Sequence, residues 1–272
     1  MSRPTNRADQ PADRAVGAEY RELLDTGAVH VWQGSSAGLL DPADAALLSD
    51  EELLVVRRRS QEAGTRYAGA HAALRRILAR YLGTPPEAIR FGRRPCPRCE
   101  HPEHGRPRVS APDTGLDFNL SRSGPHWIVA VTAGRQVGID LEDARSLDVD
   151  GSAELMMSRA ELRHLRGQST EAGRTAAFFR CWTRKEAVVK ASGVGILTDL
   201  RALDVQPARE GPVSVRHEEP TGPTDWIVQD VPAAPHLFAA LAREAGSTGP
   251  VVVRHDDASG RAPAVPEGAV ST

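Results

Sequence analysis

Two short runs in this sequence hold residue types that could do chemistry together. The first is Gly138–Ile139–Asp140–Leu141–Glu142. In an extended strand, residues two apart point to the same face. Asp140 and Glu142 would then present carboxylates side by side, with Val137, Ile139 and Leu141 turned toward a core. Two carboxylates on one rigid edge repel each other unless a cation lies between them. Hard oxygen ligands with room for water and phosphate suit Mg2+. The plainer reading is a strand end with two solvated acids. The second run is WTRKEAVVK, Trp182 to Lys190. In a helix Trp182, Glu186 and Lys190 lie four apart on one face, beside an apolar stripe of Phe178, Trp182 and Val189. On such a border between core and solvent, a carboxylate can complete a metal site and an ammonium can hold a phosphate. The plainer reading is a helical Glu–Lys pair worth about 0.2–0.5 kcal/mol.

Other groups draw notice for their chemistry. Cys96, Cys99, His101 and His104 are zinc-ligand types with a Cys-x2-Cys start. All four fall within nine residues stiffened by prolines, which favours a surface loop over a tetrahedral site. Cys181 lies in an apolar stretch and reads as a small buried residue. Leu155, Met156 and Met157 suit either an adaptable partner surface or a core. Arg57–Arg58–Arg59 reads as a solvated helix face.

The elements that must position these residues follow from periodicity and punctuation. Tyr67, Ala70, Leu74, Ile77, Leu78 and Tyr81 keep a helical period over Thr65–Leu82, stopped by Gly83. A shorter helix is expected over Pro42–Arg58, and a loop over Phe91–Val109. Phe118–Thr132 reads as strand, turn at Ser123–Gly124–Pro125, and strand. Gln136–Glu142 is a further short strand. Helices over Ser152–Arg166 and Ala172–Ala191 follow, the latter closed by Ser192–Gly193. Strands are expected at Leu200–Gln206, Val213–Val215, Trp226–Gln229 and His236–Arg243, the last on shortness against its helix propensity. The fold class is α+β, with two similar halves, each a small mostly antiparallel sheet packed with a long helix. The expected division is a tail at 1–16, a first half at 17–137, a second half at 138–245 and a tail at 246–272.

Composition bounds the partners. The chain has 272 residues, with 40% hydrophobic and 4% aromatic residues, and a formal net charge of −2. That is apolar material for a core and gives no basic field for nucleic acid. No run approaches the roughly 18 apolar residues of a membrane span. A polar start without an apolar signal core, and three cysteines, point to a cytoplasmic protein.

GIDLE followed by WTRKEAVVKASGVGI resembles the paired signature of the 4′-phosphopantetheinyl transferases. FNLSRS at Phe118–Ser123 is similar to that family's FN(I/L)SHS element, and His104–Gly105–Arg106–Pro107 to its Tyr-Gly-Lys-Pro element. The helix with Arg66 and Arg75 resembles its N-terminal helix, which carries an arginine at each place. These elements fall in family order over roughly Asp50 to Gly195, and the length resembles the Sfp-type monomer of two halves.

The resemblance implies an activity and roles. The enzyme would transfer the 4′-phosphopantetheine of coenzyme A to a serine of an apo acyl or peptidyl carrier protein, releasing adenosine 3′,5′-bisphosphate. Carriers would belong to polyketide, nonribosomal peptide or fatty-acid synthases. Asp140, Glu142 and Glu186 match the positions for Mg2+, with Mn2+ as the substitute; Glu186 also matches the general base. Lys190 matches the lysine on the pyrophosphate, and Arg66 an arginine on the 3′-phosphate, near which the run Arg57–Arg58–Arg59 would also lie. Ser121 and Arg122 stand where the family often has Ser-His, and Arg106 where it has Lys, all near coenzyme A. Arg122 keeps a cation but loses a titrating imidazole. The alternatives are a non-catalytic coenzyme A-binding regulatory module and a Mg2+-dependent phosphohydrolase.

Overall fold

The computed structural model describes residues 17–256 apart from 37, 100, 102–103, 145–148, 196–197 and 219–221. The first half opens with α1 (Ala18–Thr26) and β1 (Val29–Ser35), followed by α2 (Pro42–Ala45), α3 (Asp50–Arg57) and α4 (Gln61–Leu82). Strands β2 (Arg90–Arg93), β3 (Pro107–Ala111), β4 (Leu116–Ser123) and β5 (His126–Ala133) complete this stretch. The second half holds β6 (Val137–Asp143), α5 (Val149–Met156), α6 (Arg159–Arg166) and α7 (Glu171–Ser192). Three strands follow: β7 (Val213–Arg216), β8 (Asp225–Asp230) and β9 (Leu237–Glu244). The last strand, β10 (Val251–His255), returns to the first sheet.

The fold is α+β. One four-stranded sheet runs β10-β1-β5-β4, the other β6-β9-β8-β7, and β2–β3 form a separate hairpin. Only the β1–β10 pair is parallel among the described strand pairs. Each large sheet packs against one 22-residue helix. Leu74, Ile77, Leu78 and Tyr81 of α4 share a core with Trp32, Phe118, Val129 and Val131. Phe178, Cys181, Ala187 and Val188 of α7 do the same with Trp226, Val228, Ala240 and Ala242. A third core joins the halves: Val29, Val31, Ile128 and Ala130 meet Val137, Ile139, Leu141, Ala239 and Leu241. Burial of this apolar seam ties one sheet to the other.

Several expected elements differ. Helix α4 starts at Gln61, because Ser60 caps it by accepting the Ala63 N–H at 3.3 Å. The span Pro42–Arg58 breaks in two, as does Ser152–Arg166. In each, a Ser-x-x-Glu capping box starts a new helix, Ser49 with Glu52 and Ser158 with Glu161. The expected loop at 91–109 is flanked by a paired hairpin. Leu200–Gln206 is no strand: Leu200–Ala202 forms a 3-10 turn. The carbonyls of Leu200 and Leu203 accept from Lys185 Nζ, and those of Val205 and Gln206 from Arg184, so side chains of α7 satisfy this backbone. The tail expected from 246 onward begins instead with β10, whose residues pair with β1 from Val29 to Gln33. The tail expected at 1–16, and residues 257–272, lie outside the described residues. Met156 and Met157 are buried in the core of the second half, while Leu155 is exposed.

Candidate active site

Strand β6 alternates as its sequence requires. Val137, Ile139 and Leu141 enter the core between the halves, so Asp140 and Glu142 share the opposite face. Helix α7 crosses this face at close range. A Cβ on Gly138 would lie 2.1 Å from the Ala187 carbonyl oxygen and 2.5 Å from the Ala191 nitrogen. The approach requires glycine there, and it brings Trp182, Glu186 and Lys190 over the strand.

The contacts are specific. Lys190 Nζ forms an ion pair with Asp140 Oδ1 and donates to Ser121 Oγ at 2.9 Å. Ser121 Oγ in turn donates to Asp140 Oδ1 at 2.9 Å. Trp182 Nε1 donates to Glu142 Oε1 at 2.9 Å, and Ser123 Oγ to Glu142 Oε2 at 3.3 Å. Burial, then the charges of Asp140 and Glu142, push the Glu186 carboxyl up to about 7, against the opposing pull of Lys190. Burial and the Asp140 charge also raise Glu142. One buried oxygen, Asp140 Oδ2, has no hydrogen-bond partner. Three carboxylates that act on one another's charge, two of them with raised affinity for protons, and an orphaned oxygen form a set that a cation would relieve by drawing them together, since their oxygens do not all lie within 4.8 Å of one another.

A cavity of about 800 Å3 adjoins this cluster and is walled by both halves. Arg106, Asn119 and Leu120 line it from the first, and Glu186, Lys190 and Val194 from the second. A larger cavity of about 970 Å3 lies elsewhere, against β1 and β5, and holds none of the cluster's acids.

A sequence model described as the 4′-phosphopantetheinyl transferase superfamily matches residues 136–241, from the entry of β6 into β9. The 4′-phosphopantetheinyl transferase HetI of Nostoc sp. is 34% identical over 174 residues, spanning 62% of this chain and 70% of the relative. The chain belongs to the 4′-phosphopantetheinyl transferase superfamily. A 4′-phosphopantetheinyl transferase of Bacillus subtilis is 29% identical over 181 residues, 66% of this chain and 75% of that one. The transferase Sfp of Bacillus subtilis strain 168 is 26% identical over 143 residues, 52% and 58% of the two chains. This chain is accordingly an enzyme of the Sfp type.

In the transferase Asp140, Lys190 and Ser121 are in direct contact, Glu142 and Glu186 share their electrostatic field, and of the expected arginines only Arg106 lines the adjoining cavity. Arg122 follows Ser121 on β4 and so takes the other face; its guanidinium stacks over Tyr67 at 5.0 Å. Arg59 stacks over the same ring at 5.2 Å, which draws part of the expected solvated run into a cationic group. Arg66 is ion-paired with Glu62 one turn earlier. Arg106 lines the cavity but is buried, and its Nη1 donates to Asp117 Oδ2 at 2.6 Å. Arg75 is buried too, bonded to Glu52 and to the carbonyls of Pro86 and Ile89, so it holds the fold. In the second motif, Lys185 pairs with Glu161 at 2.7 Å and Arg184 with Asp230 at 2.7 Å, both cations fully buried.

The residues that the sequence reading missed are those joining β4 to β6. Asp117 Oδ2 accepts the Val137 N–H at 3.0 Å, Asn119 Oδ1 that of Ile139 at 3.1 Å, and Ser123 Oγ that of Asp143 at 2.9 Å. With Ser121 on Asp140, every second side chain of β4 reaches across to β6. The polar alternation Asp117, Asn119, Ser121, Ser123 was the available signal. In the cysteine loop, Cys99 Sγ lies 3.2 Å from His104 Nδ1, Cys96 is buried, and the His101 and His104 rings are 4.4 Å apart. Among the described residues, no helix is long and apolar enough to cross a membrane.

Proposed function

We propose that this transferase moves the 4′-phosphopantetheine group of coenzyme A to a serine of an apo acyl or peptidyl carrier protein, with Mg2+ (or Mn2+) held by Asp140, Glu142 and Glu186. The observation that carries the reading is the three-carboxylate cluster with its unpartnered Asp140 Oδ2, set beside a cavity between the halves. Mg2+ at such a cluster offsets negative charge on the pyrophosphate and on the leaving group.

The chain's own groups then divide the work. Glu186, beside the metal position and matched to the family's general base, would accept the proton of the serine hydroxyl. The serine oxygen forms a bond to the β-phosphorus of coenzyme A. The bond from that phosphorus to the bridging oxygen breaks, and adenosine 3′,5′-bisphosphate leaves. Lys190, held in place by Asp140 and Ser121, offers its ammonium to the pyrophosphate. Arg122 and Arg59, converging on Tyr67, form a cationic group suited to the 3′-phosphate, with Arg66 one residue before that tyrosine. Arg106 shapes the cavity wall through Asp117. Domains 17–137 and 138–245 supply opposite walls, with β10 returning to the first.

The test is incubation with coenzyme A, Mg2+ and several apo carriers from polyketide, nonribosomal peptide and fatty-acid synthases. The expected result is a phosphopantetheine mass gain on at least one carrier, dependent on Mg2+. Coenzyme A cleavage without a carrier, or binding without either reaction, would overturn it.

A further inference from the structure

A second group of metal-ligating side chains stands outside the acidic cluster. His126 is the first residue of β5, Asp143 the last of β6, and His236 immediately precedes β9. One ligand atom from each lies within 4.8 Å of the other two. We propose that His126, Asp143 and His236 bind a divalent transition-metal ion of the zinc type, which pins the β4–β5 hairpin to the ends of β6 and β9.

The backbone around the three is already fixed. Ser123 faces His126 across the β4–β5 pair, and its Oγ accepts the Asp143 N–H at 2.9 Å. Asp143 lies opposite Leu237 in the β6–β9 register, and the Ala144 N–H donates to the His236 carbonyl at 3.1 Å. The backbones of Asp143 and His236 are thus held by hydrogen bonds and that of His126 by the β4–β5 pairing, which is the preorganisation a metal site needs. The two imidazoles meet at 60° with centroids 5.6 Å apart, an edge-on arrangement rather than a stack.

A separate observation points to a ligand. His236 Nε2 is buried and has no hydrogen-bond partner. A buried imidazole nitrogen left unpaired is costly, and such groups are rare. A metal ion satisfies a neutral imidazole lone pair as water or a donor would. Two imidazoles and one carboxylate select zinc, cobalt or nickel over Mg2+, which prefers oxygen. Three protein ligands leave at least one coordination position for water. His126 also lines the cavity of about 970 Å3 with Gln33, Ser35 and His255, which gives an ion a path in. Asp143 follows Glu142 and takes the opposite face, so this site backs onto the acidic cluster without sharing a ligand. Ser123 Oγ touches both, through the Asp143 N–H and Glu142 Oε2.

The test is a titration of the metal-stripped protein with Co2+, in saturating Mg2+, read by its visible spectrum and by equilibrium dialysis. One Co2+ per chain is expected, with a spectrum of nitrogen and oxygen ligands and no thiolate charge-transfer band. His126→Ala and His236→Ala should each weaken binding by about tenfold or more. Binding should persist in Asp140→Ala and in Cys99→Ser. Zn2+ should raise the thermal midpoint of the wild type but not of His236→Ala. The variants' far-UV spectra without metal report folding, and His126→Gln and His236→Gln replace any alanine variant that fails to fold. Absence of binding in Mg2+, wild-type affinity in both histidine variants, loss with Asp140→Ala, or a thiolate band that vanishes in Cys99→Ser would each overturn the proposal. The Asp140→Ala arm separates this site from the acidic cluster, so either reading can fail alone.

Discussion

Replacing Glu186 by Gln should make the metal-free transferase more stable at pH 8 while it stops turnover. The folded protein holds the Glu186 carboxyl near 7, against 4.5 for the free group, through burial and the charges of Asp140 and Glu142. Between those values the folded state binds more protons than the unfolded chain. Stability contributed by the protonated form is therefore full below about pH 4.5 and is lost as pH rises through about 7. A gap of about 2.5 pKa units corresponds to roughly 3 kcal/mol. Glutamine keeps the shape and removes the charge, so it avoids that loss. At about 2–4 °C per kcal/mol for a chain of this size, the thermal midpoint in chelator at pH 8 should rise by about 6–12 °C. At pH 4.5 variant and wild type should nearly coincide. Mg2+ should stabilise the wild type more at pH 8 than at pH 5.5, because the metal must displace the proton, and should do much less for the variant. The assays are thermal melts across pH with and without Mg2+, alongside carrier modification. A variant no more stable than wild type at pH 8 in chelator would refute the electrostatic reasoning. Near-normal transfer by the same variant would remove Glu186 as the base.

Asp140→Ala deletes the partner of Lys190 and Ser121 together with the orphaned oxygen; carrier modification should fall by about 100-fold or more with an unchanged far-UV spectrum. Gly138→Ala places a methyl 2.1 Å from the Ala187 carbonyl, so denaturant melts should show a loss of about 1–3 kcal/mol and transfer should fall as α7 shifts off β6. The halves 17–137 and 138–245, expressed separately, should each expose the apolar seam of Val31, Ile128, Ile139 and Leu241 and fail to bind coenzyme A by calorimetry; tight binding by either would contradict a site shared between them. Arg122→Ala and Arg59→Ala should each weaken coenzyme A by about ten- to a hundred-fold and 3′-dephospho-coenzyme A far less, and equal losses on both would assign these arginines to the fold.

Local periodicity was enough for much of this protein. The strand alternation of Val137–Glu142, the helical spacing of Trp182, Glu186 and Lys190, and the glycine stops at Gly83 and Gly193 are properties of the chain itself. The capping boxes at Ser49 and Ser158, which divide both helical spans, are also legible as Ser-x-x-Glu in the chain. Three features depended on tertiary partners. Leu200–Gln206 has strand-like residues, but its carbonyls are taken by Lys185 and Arg184 from α7, so no ladder forms. The expected tail contains β10, whose backbone is satisfied only because β1 lies unpaired on that side. Arginines look alike in a sequence, yet Asp117 buries Arg106 and Glu52 buries Arg75, while Tyr67 gathers Arg122 and Arg59. A side chain's charge is set by its type, but its availability is set by what the fold places beside it. That is also why His126, Asp143 and His236, far apart in the chain, carried no signal until three strand ends met.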